Sequence, residues 1–172
     1  QIPVHSDSAF PVPPLIASNI SALASDDRVI QKEAIIALGM TGDAQILSFL
    51  EEYRVGSLYI WTRPDGQQIL VLGGDETTQD DEAVVPLVSP YGLANMLQVD
   101  GGILYVSLDA VEEVRPDRRL RRVVKKQIDS LRNQINLMDS RANVRRSAAM
   151  DIGFSDDPAA IPLLEKYLLL ER

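Results

Sequence analysis

One pattern occurs twice in this chain, near both ends. Residues 34–53 read AIIALGMTGDAQILSFLEEY, and residues 148–167 read AAMDIGFSDDPAAIPLLEKY. A shift of 114 positions aligns them without a gap, so that Ala34 falls on Ala148, Gly39 on Gly153, Asp43 on Asp157, Leu50 on Leu164, Glu51 on Glu165 and Tyr53 on Tyr167. Each copy reads as an apolar helix, a Gly-x-x-x-Asp turn and a second apolar helix. Such a unit cannot bury its apolar face alone, so units of this kind stack as α-solenoids. Stacks of this type mostly bind and scaffold. An interaction role is therefore the first expectation, ahead of catalysis.

Composition narrows the class further. Hydrophobic residues at 45% and charged residues at 24% of 172 positions are ordinary for a folded globular chain. A net charge of −8 argues against a general nucleic-acid binder, which carries a basic surplus. No apolar run approaches the roughly 20 residues that a membrane-spanning helix needs. There is no cysteine, which removes disulfides, thiolate catalysis and cysteine-ligated zinc. A start on Gln1 and an end on Leu168, Leu169, Leu170, Glu171 and Arg172, without a stop signal, suggest a piece of something longer.

The segments follow one another clearly. Residues 1–14 hold Pro3, Pro11, Pro13 and Pro14 and read as an extended arm. Residues 15–54 form the first helical segment: Leu15, Ile16, Ile20 and Leu23 fit one face, and Ile30, Ala34, Ile35 and Leu38 fit the next. Ser25-Asp26-Asp27 can cap that second helix. Residues 55–114 change period. Ser57–Trp61 and Gln68–Leu72 flank Arg63-Pro64-Asp65-Gly66, a β-hairpin signal. The acidic stretch 73–83 reads as a mobile loop, Val84–Val88 and Ile103–Leu108 as two more strands, and Tyr91–Leu97 as a short helix or turn. Residues 115–172 then give a long helix from about Asp117 to Met138, striped with Leu120, Val123, Val124, Ile128, Leu131, Ile135 and Met138, and the second repeat. The four segments form one compact unit.

No residue set resembles an active site. His5 is the sole histidine and lies in the Pro-rich arm, where nothing would hold it rigidly; it reads as a solvated residue. Asp75, Glu76, Asp80, Asp81 and Glu82 lack the alternating ligand spacing of a calcium loop. Gly73-Gly74 and Gly101-Gly102 are too short to cradle phosphate. No cofactor or metal is expected, and the chain reads as a non-enzyme. Trp61, with Tyr59 and Tyr105, falls on strand positions that favour the core of the insert over an exposed anchor.

The strongest signal outside the repeats is basic. Arg115, Arg118, Arg119, Arg121, Arg122, Lys125 and Lys126 crowd into the start of the long helix. With Arg132, Arg141, Arg145 and Arg146 they make up eleven of the 17 Lys and Arg residues. The preceding insert is acidic, so the chain is electrically bipolar. Two readings fit. The seven residues are a solvated helix face partly neutralised by the insert, or a contact surface for an acidic partner or anionic lipid head groups. Cations at a helix N-terminus oppose the macrodipole, which leans toward a specific use.

The order of helix pair, hairpin-bearing insert, arginine-rich helix and second helix pair resembles one family. It is the extracytoplasmic N-terminal domain of urea-type ABC transporter permeases, in the branched-chain amino acid permease superfamily. The residues that carry the resemblance are Gly56-Ser57-Leu58-Tyr59-Ile60, Asp109–Val114, Arg115, Arg119-Leu120-Arg121-Arg122, Asn143–Ala149 and Asp156-Asp157-Pro158-Ala159. It extends over nearly the whole chain from residue 15 onward. Pro116 and Asp117 depart from the family pattern, and residues 75–102 have a shape of their own. The resemblance implies a domain outside the cytoplasmic membrane, attached to transmembrane helices, with the solute path and the ATP sites elsewhere. The implied partners are the transmembrane part of the same permease and, for docking, a periplasmic substrate-binding protein.

The expected fold is α+β and mostly α, with HEAT-like helical repeats flanking a small insert that contains a β-hairpin. The expected function is a non-catalytic interaction or regulatory domain of a permease for urea or a related solute. Two alternatives stay open: a free-standing HEAT-like cytoplasmic adaptor, and a protein like the phycobilin lyases.

Overall fold

The computed structural model describes residues 1–5, 11–158 and 160–170. Three helices come first: α1 (Pro14–Ala22), α2 (Arg28–Gly39) and α3 (Ala44–Val55). Pro14 opens α1, where its missing N–H costs nothing. Asp27 and Asp43 precede α2 and α3, and their carboxylates accept the N–H groups of Val29 and Gln45, each at 2.8 Å. Helix α3 ends on Gly56 at φ 95°, where the Ser57 N–H donates to the Glu52 carbonyl and the Gly56 N–H to that of Tyr53. This Schellman closure needs the left-handed conformation that glycine enters without strain.

An antiparallel sheet fills the middle of the chain. Its strands are β1 (Leu58–Thr62), β2 (Gln68–Gly73), β3 (Thr77–Gln79), β4 (Glu82–Val88), β5 (Tyr105–Ser107) and β6 (Val111–Glu113). They run in the order β3-β4-β2-β1-β6, with β5 also on β4. The expected hairpin is present, in register from Leu58 opposite Leu72 to Thr62 opposite Gln68. At its turn the Gly66 N–H donates to the Arg63 carbonyl, and Gly66 takes φ 82° after Pro64-Asp65.

Both faces of β1 and β2 are covered. Leu58, Ile60, Leu70 and Leu72 join the helices in the main core, while Trp61, Ile69 and Val71 pack with Val85, Leu87 and Met96 in a second one. That two-sided burial explains the unbroken apolar run Ile69–Leu72. Trp61 is buried, in the core of the insert as expected.

The acidic stretch corrects one expectation. Residues 73–83 are not a loop: Thr77–Gln79 pairs with Glu82–Val84 in a tight hairpin. Its two turn residues, Asp80 and Asp81, take φ 50° and 65°. A two-residue turn with both central residues at positive φ is type I′, which Asp tolerates. Residues Tyr91–Leu97 make a turn, bridged to Val88 and Ile103.

The arm also differs from expectation where it is described; residues 6–10 of it lie outside the described residues. Val4 bridges Leu70 in parallel, and the Ser21 hydroxyl donates to the Ile2 carbonyl. The His5 N–H donates to the Leu70 carbonyl at 3.0 Å. His5 is thus half-buried beside Leu70, next to a single parallel bridge, rather than solvated.

The last three helices are α4 (Arg118–Asn136), α5 (Ala142–Gly153) and α6 (Ala160–Leu170). Helices α2 and α5 begin and end 114 residues apart, as the repeat requires. The architecture is α+β with helices predominant, as the sequence predicts. Helix α4 lies against α2, α3 and α5. Its buried stripe is Leu120, Val124, Ile128 and Leu131, and Leu137 rather than Met138 continues it into a third, small core with Ala148, Ile152 and Ala160. Leu15, Ile30 and Met138 are exposed, each lying beyond the edge of the face assigned to it.

The two repeats are packed unequally. Leu50 and Tyr53 are fully buried, whereas their counterparts Leu164 and Tyr167 are only half-buried. Helix α3 meets α4 and the sheet core; α6 packs chiefly on α5.

Candidate interaction surface on helix α4

The start of α4 is built to tolerate its own positive charge. Asp117 stands before the helix and accepts the N–H groups of Arg119 at 2.9 Å and Leu120 at 2.8 Å. It also pairs with Arg28 at 3.0 Å. The Leu120 N–H, then the Arg119 N–H and the charges of Arg28 and Arg119, hold its carboxyl below the usual range. A carboxylate therefore sits where the helix dipole favours one.

The seven basic residues separate into two groups. Three are engaged within the chain. Arg115 pairs with Glu113 at 2.6 Å, over Gly56; Lys125 pairs with Asp129 at 2.8 Å; Lys126 stands 3.9 Å from Asp157. Arg118, Arg121 and Arg122 are exposed and enter no ion pair among the described residues. Arg119 is exposed and carries its charge beside Asp117.

Arg118, Arg121, Arg122 and Lys125 line an open recess of about 370 Å³ together with Arg54, from the last turn of α3. Pattern reasoning along the chain missed Arg54. It is a lone cation more than sixty residues before the cluster, and only the packing of α3 against α4 brings it there. The sequence reading that the acidic insert partly neutralises this face holds at one contact, Arg115 with Glu113. Asp75, Glu76, Asp80, Asp81 and Glu82 make no ion pair among the described residues.

Toward its C-terminal half, α4 is held by neutral and charged bonds. Arg132 pairs with Glu51 of α3 at 2.7 Å, and the Gln134 amide donates to the Gly39 carbonyl, an open end of α2, at 3.0 Å. Beyond the helix, Arg141 makes a two-pronged contact with Asp139, 3.0 Å on each prong, and holds that carboxyl down at about 2. A groove of about 720 Å³ runs between α2, α4 and the second pair, with Arg122, Lys125 and Lys126 at its basic end and Ile36, Met40, Ile152 and Leu163 along its apolar part. No cluster able to hold a metal ion occurs among the described residues, and none of their helices is long and apolar enough to cross a membrane.

Residues 144–169 match the family of the PBS lyase HEAT-like repeat. The match falls on α5 and α6, the second copy of the internal repeat, whose first copy is α2 and α3, 114 residues earlier. The structure thus contains a HEAT-like repeat, the architecture of an interaction module. No curated protein and no solved structure matches the chain.

Proposed function

We propose that this chain is a non-catalytic interaction module and, more finely, the extracytoplasmic domain of an ABC transporter permease for urea or a related small solute. One observation carries the module reading: two helical pairs of one repeat, one of them HEAT-like, are joined across a helix whose basic surface is left largely unpaired. The permease reading is supported by the order of segments, with a hairpin-bearing insert leading directly into Arg119-Leu120-Arg121-Arg122. On that reading the solute path lies in transmembrane helices, and no helix among the described residues is long and apolar enough to be one. Its own work is contact, with the transmembrane part of the permease or with a solute-binding protein outside the membrane.

A pull-down against the cognate binding protein tests the docking role. Association with the loaded or the empty form is the expected result; absence of both counts against docking. A cytoplasmic adaptor would share the module reading, and cell fractionation separates the two. The matched repeat type also occurs in lyases by its name, so a bilin titration is informative: no change in bilin absorbance is expected.

A further inference from the structure

The recess at the junction of α3 and α4 has a composition that specifies its ligand. Its lining is wholly cationic: Arg54, Arg118, Arg121, Arg122 and Lys125. Like charges gathered on one concave surface repel one another, and nothing in the chain relieves four of them. The arginines have no ion pair among the described residues, and only Lys125 is held, by Asp129. Outside the recess Arg115 is paired with Glu113 and Arg132 with Glu51, while Arg119 and Arg146 also enter no ion pair among the described residues. What is local to the recess is the gathering of four unpaired arginines on one surface.

We propose that this recess recognises a carboxylate-rich segment of a partner protein. The inference deepens the interaction reading above and rests on it. The arginines favour an oxyanion that takes two parallel hydrogen bonds, and the confined basic field favours a narrow segment over a lipid surface. The recess is lined by four arginines to one lysine, and a guanidinium fork matches a planar carboxylate with two parallel hydrogen bonds, as an ammonium does not. Its surface is also concave, while the chain carries a net charge of −8 and an unpaired acidic hairpin around Asp80 and Asp81. An extended anionic bilayer meets that net negative charge as well. A narrow acidic loop meets the local field alone, since surface charges are screened within roughly 8–10 Å at physiological salt.

The test uses a fluorescein-labelled oligoglutamate peptide and fluorescence anisotropy, beside co-sedimentation with vesicles of equal parts phosphatidylglycerol and phosphatidylcholine. The intact chain should bind the peptide in a salt-sensitive way. Arg121→Glu with Arg122→Glu should weaken binding at least tenfold, and Arg146→Glu, an exposed arginine outside the recess, should leave it unchanged. Replacing Arg118, Arg121 and Arg122 by Lys keeps the charge and should still weaken binding several-fold. Equal affinity of the wild type and the Glu variant would overturn the proposal, as would Lys variants that bind as tightly as wild type. Vesicle binding that depends on Arg121 and Arg122, without peptide binding, would overturn it in favour of head groups. Peptide failure alongside an extracytoplasmic location would remove the recess and leave the permease reading standing.

Discussion

Glycines 39 and 153 occupy the same position in the two repeats and face opposite surroundings. A Cβ on Gly39 would overlap the Gln127 side chain of α4, coming within 2.7 Å of its Cβ, whereas one on Gly153 would meet nothing within 4 Å. Gly39→Ala is expected to destabilise the chain by about 1–3 kcal/mol, since α4 must shift. Gly153→Ala should be neutral or stabilising by up to about 1 kcal/mol, because it only removes backbone freedom within a helix. Urea melts of both variants decide this; equal losses would contradict the packing described. Asp43 shows how one residue can serve two parts of a fold. It caps α3 and accepts the Tyr91 hydroxyl at 2.7 Å, tying the insert to the helices and raising the tyrosine's pKa. Asp43→Ala should cost about 1–2 kcal/mol, from the cap alone upward. Tyr91→Phe should cost about 0.5–1.5 kcal/mol. The double variant should cost less than the sum, the mark of a shared contact. The cap at Asp43 is legible in the Gly-x-x-x-Asp turn; the bond to Tyr91, 48 residues on, is not. Asp139 adds a pH dependence. Arg141, with the charge of Arg145 adding to it, holds the Asp139 carboxyl down at about 2, against the ordinary 3.8. The folded state therefore gains from its ionisation above about pH 4 and loses that gain as pH falls toward 2. Asp139→Asn should flatten this part of the acid limb in melts taken across that range.

At the scale of elements, periodicity and turn chemistry account for most of what the sequence reveals. Helices α2 to α5 and the β1–β2 hairpin follow from apolar spacing, Asp caps and Pro-Asp-Gly. The β3–β4 hairpin does not, because Thr77–Gln79 is fully exposed and lacks the apolar alternation that marks a strand. Its signal lies in Asp80-Asp81, whose charge reads as solvation before it reads as a turn. The backbone gives the test. Replacing both by Val, which resists positive φ, should cost about 1–2 kcal/mol per residue and speed amide exchange at Thr77–Gln79. Replacing them by Asn-Gly should preserve protection there. Equal protection in both variants would contradict a type I′ turn. The arginine-rich helix shows the same division. Its existence and buried stripe are legible, but the partition of its cations depends on contacts. Glu113, Asp129 and Asp157 draw off three, and Arg54 arrives from α3.

For the whole molecule, one half is finished and the other open. The main core unites α1–α4 with the underside of the sheet, while the second helical pair is held by four buried residues. Met150, Phe154, Ile161, Leu168 and Leu169 stay exposed on that pair. Charge is divided as sharply, with an unpaired acidic hairpin and an unpaired basic recess on one chain. An arrangement that leaves its surfaces so unequal is suited to contact, and the setting proposed for that contact is a permease outside the cytoplasmic membrane. Location is its most direct test: antibody to this domain, applied to fractionated source cells before and after protease treatment from outside the cytoplasmic membrane. The expected result is a membrane-bound band much larger than 19.0 kDa that external protease removes. A protected, soluble cytoplasmic band near that mass would contradict it.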